Sequence, residues 1–241
     1  MKKITSASLL AFLAIMSILF TACKKSHPAP ANAKNAIAYI YKTSNNDALA
    51  FKALMELNNC TVQLIEIADA ASLDYSKYKL IVADHNTNSV GLSNWTDAHV
   101  NTLKASGKPM LLLGMGGLLY AKKIGNIANW INSGQFNETA IYVKDKTSNL
   151  YKKPKVITIT AAQTIVLYTV PALGAGQYLP MGTLPGVTLM GSLAGQQNYY
   201  PLTYEQNRYT VLGFDKGVNS MTADGKDFMV NLVYFSGNLS L

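Results

Sequence analysis

The chain has 241 residues, of which 49% are hydrophobic and only 14% are charged, against about 25% charged residues in an average soluble domain. This composition excludes an intrinsically disordered protein and supplies enough apolar side chains for a sizeable core. The formal net charge is +8, but five lysines and no acidic residue precede residue 36, so residues 36–241 carry only +3, which excludes the strongly basic character of a nucleic-acid-binding domain.

The first residues of the chain have the three parts of a bacterial export signal. Lys2 and Lys3 are followed by an apolar stretch over 9–20, which only Ser17 interrupts. A dozen apolar residues are too few to span a bilayer and fit the core of a signal peptide. The next residues complete a stretch, LFTAC at 19–23, that resembles the lipobox of bacterial lipoproteins, although Phe20 stands where leucine is most common.

This resemblance implies that Cys23 is acylated, with a palmitate-type chain, and becomes the new N-terminus. We therefore predict a signal peptide over 1–22, a lipidated cysteine and flexible tether over 23–35, and a single folded domain over 36–241. The tether is polar, rich in Pro and Ala, and lacks apolar periodicity. Lys24 and Lys25 directly follow the cysteine, which favours the periplasmic side over surface export. The expected location is the cell envelope, on the periplasmic face of the outer membrane, with the membrane as a partner.

The cysteine count limits covalent and metal chemistry. Once Cys23 carries lipid, Cys60 is the one remaining cysteine, so no intramolecular disulfide can form. Its position before an apolar run predicts a small buried residue.

The first half of the domain alternates between apolar runs and helical patterns. Unbroken apolar runs, which are typical of parallel strands covered on both faces, occur at 36–41, 80–83 and 110–113, and residues 61–67 are also strand-like. Between them the spacing predicts a helix over 46–58, capped by Asn45 or Asn46, and a helix over 93–106, capped by Ser93 and ended by Gly107. The alternation predicts βαβ crossovers and a doubly wound sheet.

The second half changes to short segments separated by Gly and Pro. Their alternating pattern predicts antiparallel strands, added to the parallel core, at 141–143, 156–160, 165–170, 186–191 and 208–214. A closing helix is predicted over 222–237, with Thr222 as the N-cap.

In an open parallel sheet, ligands bind beyond the C-terminal ends of the strands. The residues that follow the predicted strands are therefore the candidates for ligand binding: Thr43, Ser44, Asp84, His85, Asn86, Thr87, Met115, Gly116, Gly117 and Asp215.

Residues 105–120 (ASGKPMLLLGMGGLLY), with Ala83 and Asp84 at the end of an earlier strand, resemble the class I glutamine amidotransferase-like group. In its active members a strand runs into a sharp Gly-x-Cys-x-Gly turn, and the cysteine attacks a carbonyl. The resemblance covers roughly residues 36–130 and returns at 208–237. It implies a flavodoxin-like α/β fold: a doubly wound parallel sheet with helices on both faces and added antiparallel strands in the C-terminal half.

The sequence departs from the active pattern at both catalytic positions. Aligning Gly117 with the last glycine of the motif places Met115 at the nucleophile, and a thioether cannot form a thiolate. The partner histidine of active members follows a late strand, in a Gln-Phe-His-Pro-Glu-like stretch, whereas residues 211–216 (VLGFDK) contain no histidine. We predict that amidotransfer by a Cys–His pair is absent, that no catalytic residue is retained, and that the chain is a pseudoenzyme.

The same residues have other possible uses. The glycines at 114–117 could hold an anion at a helix N-terminus, but the lysine of a P-loop and the spacing of a dinucleotide fingerprint are missing, so a tight turn is the simpler interpretation. Asp84, His85 and Asp215 could form an acid–base or metal site, or be polar loop residues with local hydrogen bonds. We predict no metal and no cofactor.

Two further segments could recognise a carbohydrate. Residues 86–89 (NTNS) offer short polar side chains that suit either a sugar or a plain turn. Tyr199, Tyr200 and Tyr204 could form a stacking platform, or pack across strands.

Three classes of function remain. The first is a non-catalytic amidotransferase-like module that binds a small polar ligand or an envelope protein. The second is a hydrolase that uses Asp84, His85 or Asp215 in place of the missing pair. The third is a scaffold whose interaction surface is the antiparallel half, over 140–214. We favour the first, with no nucleic acid as a partner.

Overall fold

The computed structural model describes residues 34–42, 45–89, 92–128, 133–178 and 185–240. Its helices are α1 (Asn45–Glu56), α2 (Asp97–Ala105), α3 (Gly114–Ile124) and α4 (Ala223–Gly237), with 3-10 turns at Ile67–Ser72, Asn149–Tyr151 and Val218–Ser220. Its strands are β1 (Ala36–Tyr41), β2 (Thr61–Glu66), β3 (Leu80–Ala83), β4 (Asn88–Ser89), β5 (Leu92–Ser93), β6 (Met110–Leu113), β7 (Ser133–Glu138), β8 (Ala140–Val143), β9 (Thr164–Val166), β10 (Ala172–Tyr178), β11 (Val187–Leu193), β12 (Tyr199–Tyr200), β13 (Leu202–Glu205) and β14 (Tyr209–Leu212).

A nine-stranded sheet forms the centre of the molecule. Five parallel strands make up one part of it, in the order β2-β1-β3-β6-β14. Four antiparallel strands, in the order β13-β11-β8-β9, extend it beyond β14. Numbered along the chain, the parallel strands follow the order 2-1-3-4-5, which is the flavodoxin-like arrangement of a doubly wound sheet. The predicted fold class is confirmed.

Two apolar cores cover the two faces of this sheet. On one face, α1 and α4 pack through side chains such as Phe51, Met55 and Phe228. On the other face, α2 and α3 pack through Leu103, Leu118 and their neighbours. Each parallel strand feeds side chains into both cores, and β1, β3 and β6 are apolar without interruption, as the sequence pattern predicted. The strands β2 and β14 also carry polar side chains, among them Gln63 and Thr210.

The second predicted helix begins later than expected. Ser93 is not its cap, because Ser93 belongs to the short strand β5. Thr96 caps the helix instead: its hydroxyl accepts a hydrogen bond from the His99 backbone N–H at 3.3 Å, and the His99 ring accepts one from the Thr96 N–H at 3.1 Å. This is a capping box with histidine in the place usually held by Glu or Gln. The Thr222 cap of α4 and the left-handed Gly107 after α2 are as predicted.

Three predictions for the second half are wrong. Residues 156–160 form no strand, because the Ile157 N–H donates to the Tyr151 carbonyl and the Thr160 N–H donates to the Thr164 carbonyl rather than to a neighbouring strand. The strand predicted over 165–170 ends at Val166, since the N–H groups of the next two residues both donate to the Thr139 carbonyl. The strand expected over 208–214 is not purely antiparallel, because β14 pairs parallel with β6 and antiparallel with β13.

Both ends of the described chain meet where the parallel strands begin. The Asn35 side chain is 4% exposed and donates to the carbonyls of Asn59 and Ser240, so Asn35 is packed against the folded part of the chain. Cys60 is a buried free cysteine, as expected, and burial raises the pKa of its thiol to about 11. Within the described ranges, none of the helices is long and apolar enough to cross a membrane.

The side chain of Asn231 joins the irregular segment after Asn149–Tyr151 to helix α4. It is fully buried, donates to the carbonyls of Leu150 and Lys155, and accepts from the Lys155 N–H, all at 2.8–2.9 Å. Asn231→Ala should therefore lower the free energy of unfolding by about 2–4 kcal/mol, because it leaves buried backbone groups unpaired. Chemical denaturation measures the free energy of unfolding, and Asn101→Ala, at an exposed helical position, is the control that should change it little. Equal losses of stability for the two substitutions would contradict the role assigned to Asn231.

Candidate functional site

Four polar side chains meet at the carboxyl end of the sheet, where the parallel strands end. Asp84 directly follows β3, and His85 comes next. Asp215 lies three residues after β14, and Asp47 lies in the first turn of α1, which follows β1. The sheet order β1-β3-β6-β14 makes these strands consecutive neighbours, so the topology brings the four side chains together.

The Asp84–His85 pair is the centre of this cluster. Asp84 is fully buried, and its Oδ1 lies 2.7 Å from His85 Nδ1 and accepts the His85 backbone N–H at 2.8 Å. The backbone N–H of Asp84 donates to the Ile40 carbonyl of β1. On the far side of the ring, His85 Nε2 lies 3.6 Å from Asp47 Oδ2. The imidazole is therefore placed between two carboxylates, and the second oxygen of Asp84 has no hydrogen-bond partner among the described residues.

The charges of this cluster act on the groups around it. Burial lowers the pKa of His85, but the hydrogen bond to Asp84 and the charges of Asp84, Asp215 and Asp47 outweigh it, so the pKa is raised overall. Burial, and then the Asp84 carboxylate, raise the pKa of the Tyr39 hydroxyl well above its usual value. The cluster thus favours a protonated histidine beside a neutral phenol.

The turn between β6 and α3 is sharp and tightly filled. Gly114 has φ +49°, in the left-handed region. A Cβ at this position would lie 2.6 Å from His85 Cβ and 2.9 Å from Asp215 Oδ1. A Cβ at Gly116 would collide with Thr87 Oγ1 and the Asp84 carbonyl. Both glycines are required because the Asp84–Thr87 loop lies directly against the start of α3.

The first amides of α3 are already occupied by groups of the protein. The Met115 N–H donates to Asp215 Oδ1 at 3.3 Å, and the Gly116 N–H donates to the His85 carbonyl at 3.0 Å. An external anion would have to displace Asp215 to reach this helix N-terminus. The structure therefore favours the tight turn over the anion-binding interpretation of 114–117.

The remaining predicted residues have supporting positions. Asn86 Oδ1 accepts the Lys42 backbone N–H at 3.0 Å, and the buried Thr87 hydroxyl donates to the Asp84 carbonyl at 2.8 Å. Gly117 faces the backbone of Leu112 rather than the cluster. Thr43 and Ser44 lie outside the described residues. Within those residues, no three His, Cys, Asp or Glu side chains are grouped to hold a metal ion.

Sequence reasoning missed three residues that shape this site. Asp47 supplies the second carboxylate next to His85. Asn94 accepts a hydrogen bond from the Lys42 ammonium and donates to the Thr87 carbonyl, and the Trp95 indole N–H donates to the Gly116 carbonyl at 2.9 Å. Asp47 carried a usable signal, since an acidic residue in the first turn of a helix after a strand also lies at the carboxyl end of the sheet.

The three tyrosines considered for stacking do not share one surface. Tyr199 packs against Phe136, with ring centroids 4.6 Å apart, and Tyr200 is buried beneath the Lys144 ammonium. Tyr204 instead contacts Phe235 of α4, with centroids 5.4 Å apart. These separate contacts favour packing of the three tyrosines within the protein over a shared stacking platform. Tyr204 also lies beside a cavity.

That cavity, of about 680 Å³, lies at the opposite, amino end of the sheet. Tyr204, Tyr234 and Phe235 supply aromatic surface, and amides and one ammonium surround them, from Asn149, Asn207, Asn238 and Lys153. The hydroxyl of Ser236, 5% exposed, lines it and forms no hydrogen bond within the described part of the chain. Its size is that of a small-molecule site.

Comparison with known proteins shows likeness at the level of the fold. No family model matches the chain, and no curated protein matches it. Among solved structures, one similar protein is described as a GMP synthase subunit from Thermoplasma acidophilum, with a TM-score of 0.56, 12% identity, and coverage of 84% of this chain and 94% of that chain. Another is a chain of PurLQS from Thermotoga maritima, with a TM-score of 0.52, 11% identity, and coverage of 84% and 99%. The chain therefore has the α/β fold of glutamine amidotransferase-like proteins.

The raised pKa of His85 predicts a pH dependence of stability. Protonated His85 contributes stability that is fully present below the unfolded-state pKa of about 6.5 and is lost as pH rises through the higher folded-state pKa. His85→Gln should therefore lower the free energy of unfolding most at acidic pH, and the difference from wild type should narrow as pH rises. Denaturation across pH 5 to 9 measures it. Substitution of His99, whose pKa burial lowers, is the control, because its effect on the free energy of unfolding should change with pH in the opposite direction. If the stability difference between His85→Gln and wild type were constant with pH, the raised pKa of His85 would be contradicted.

Proposed function

We propose that the protein is a non-catalytic, lipid-anchored module of the bacterial cell envelope, with an amidotransferase-like fold that binds a small polar ligand. The observation that carries this proposal is the turn after β6. In the resembled enzymes this turn presents the nucleophile, and here the left-handed residue of the turn is Gly114, one position before Met115. Whichever of the two is aligned with the nucleophile, no thiol is present.

The residues around this turn support the proposal that the protein has lost catalytic activity. A nucleophile elbow needs a free backbone N–H after the nucleophile to stabilise the oxyanion. If Gly114 is aligned with the nucleophile, the next N–H is that of Met115, which donates to Asp215. If Met115 is aligned with it, the next N–H is that of Gly116, which donates to the His85 carbonyl. The space a side chain at 114 would need is filled by His85 and Asp215. The nucleophile and the oxyanion position are thus both replaced by an internal ion cluster.

The lipid anchor rests on the sequence. The signal-like residues 1–22 and Cys23 support acylation and a location on the periplasmic face of the outer membrane. The folded part supports a binding role, because the cavity at the amino end combines flat rings with amide groups. Aromatic rings that stack on a sugar face, together with amides that bond to its hydroxyls, favour a carbohydrate as the ligand class.

A substitution at Gly114 tests the non-catalytic assignment. We expect neither the purified protein nor its Gly114→Cys and Met115→Cys variants to release ammonia from glutamine above the rate without protein. Gly114→Ala should lower the free energy of unfolding by about 2–4 kcal/mol, from left-handed strain plus collision. Gly107→Ala, at φ +66° with nothing within 4 Å of the added Cβ, is the control for strain alone and should cost about 1 kcal/mol. Ammonia release by the wild type would refute the proposal.

A hydrolase remains the second candidate because of one observation. The buried Asp84 carboxylate orients His85 through Nδ1, as the acid of a catalytic triad orients its histidine. In this protein, however, Nε2 faces Asp47 rather than a hydroxyl or thiol nucleophile. A substrate whose turnover is abolished by Asp84→Asn but not by Asn101→Ala would establish this function in place of the first.

Ligand binding is tested by thermal shift against neutral and acidic sugars, nucleosides and amino acids. A ligand at a hundredfold excess over its dissociation constant stabilises by roughly 2.7 kcal/mol, which raises the melting temperature by several degrees. We expect a sugar to produce a shift that Tyr204→Ala removes and Tyr199→Ala retains.

The variants separate the two ends of the sheet. A shift removed by Asn86→Ala but not by Tyr204→Ala would place the ligand at the carboxyl end instead of in the cavity. If none of the compounds shifted the melting temperature, the scaffold function of the antiparallel half would replace ligand binding.

A further inference from the structure

Cations precede the four neighbouring parallel strands at the amino end of the sheet. Lys79 directly precedes β3, Lys108 lies two residues before β6, and Arg208 directly precedes β14. Lys34 lies two residues before β1. Because neighbouring strands lie about 4.8 Å apart, the row extends over roughly 14 Å. Lys77 and Lys104 lie beside it, in the segments that lead into β3 and β6.

Hydrogen bonds link the part of this row around Lys108 and Arg208. The Lys108 ammonium donates to the Ser76 carbonyl at 2.8 Å, next to Lys77. The Arg208 guanidinium donates to the Lys108 carbonyl at 2.9 Å and to the Lys104 carbonyl at 3.2 Å, at the C-terminus of α2. We call this surface, formed by Lys34, Lys77, Lys79, Lys104, Lys108 and Arg208, the basic surface.

Several carboxylates gather at the opposite end of the sheet, where Lys42, Lys216 and Lys226 also lie. Asp84, Asp215 and Asp47 lie there, with Glu66 at the end of β2. Asp74, whose pKa is lowered by hydrogen bonds from Ser76, is an acidic residue close to the basic surface. The net charge of the folded part sums over both ends of the sheet, so it does not reveal the row of cations that precedes the parallel strands.

The chain enters the fold at the basic end. Asn35 bonds to Asn59 and Ser240 where the strands begin. Ten residues lie between Cys23 and Lys34, so an acylated Cys23 would lie at most roughly 40 Å away. Leu57, between α1 and β2 at this same end, is 85% exposed and offers an apolar side chain to a lipid interface.

We propose that the basic surface docks on anionic phospholipid, so that the carboxyl end of the sheet faces away from the membrane. This inference rests on the proposed anchoring through Cys23. A tether this short keeps the surface beside lipid headgroups, and the tether makes docking an intramolecular step. The sugar-sized cavity opens on the α4 side of the sheet, whereas Lys77 and Lys104 lie on the α2 side, so docking leaves room for a ligand.

The test uses the wild-type chain purified from membranes and mixed with vesicles of phosphatidylcholine alone or with 30% phosphatidylglycerol. An amine reagent labels the lysines, and mass spectrometry measures the labelling rate of each lysine. Since each cation near an anionic surface contributes about a fivefold change in binding, Lys77, Lys79 and Lys108 should label at least fivefold more slowly on the phosphatidylglycerol vesicles at low salt. Lys216 and Lys226, near the carboxyl end, should label equally on both.

Matched charge reversals complete the experiment. Lys77→Glu with Lys79→Glu should abolish the slow labelling of Lys108, whereas Lys216→Glu with Lys226→Glu, the same change in net charge, should retain it. Equal labelling of Lys108 on the two vesicle types would overturn the docking. Stronger protection by duplex DNA than by vesicles, at equal salt, would overturn it in favour of a nucleic-acid surface.

Flotation of the same samples separates the two proposals. Wild-type protein that floats with both vesicle types and shows no lysine protection would retain the anchor and refute docking. Protein that floats only with phosphatidylglycerol vesicles, and shows the protection, would support docking and refute the anchor.

Discussion

The ion pair between Asp84 and His85 is the interaction on which the carboxyl end of the sheet depends. Asp84 is fully buried at the end of a central strand, where a carboxylate is stable only with a close partner. His85 supplies that partner at 2.7 Å, and its ring and carbonyl then fix Asp47 and the Gly116 amide in place. One buried charge thus determines the first turn of α1, the start of α3 and the loop after β14.

This dependence explains why the site is closed. An enzyme keeps a pocket at the end of its strands and aims unsatisfied donors into it. In this chain, the donors at the start of α3 are satisfied by Asp215 and by the His85 carbonyl, and Gly114 leaves no side chain in the turn. Burial raises the pKa of the nearby Tyr39 hydroxyl, so this group also stays neutral. Asp47 and Asp84 lie on either side of the His85 imidazole, and Asp215 accepts the Met115 N–H, so each of the four polar residues has a partner within the protein.

The sequence predicted the parallel half well because its signal is local. An unbroken apolar run such as 110–113 needs no knowledge of its partners to be recognised as a buried strand. Some missed features depend on distant contacts: the strand predicted over 165–170 ends at Val166 because the N–H groups of Leu167 and Tyr168 donate to the carbonyl of Thr139, far earlier in the chain. Of the site, Asp84, His85 and Asp215 followed from strand ends, whereas the pairing with Asp47 required the position of α1. The left-handed residue of the turn, Gly114, could not be identified from the sequence because a glycine match carries no φ angle.

Net charge was the least informative of the sequence measures, for a reason the topology makes clear. A value of +3 for residues 36–241 describes a sum, and electrostatic attraction depends on position within a Debye length of about 8 Å. The parallel sheet sorts charge by position: residues before strands gather at one end and residues after strands at the other. Lys79 and Asp84 are five residues apart in sequence, yet β3 places them at opposite ends of the molecule. Residues 36–241, whose net charge is only +3, therefore carry the cations that precede β3, β6 and β14 at one end of the sheet and Asp47, Asp84 and Asp215 at the other.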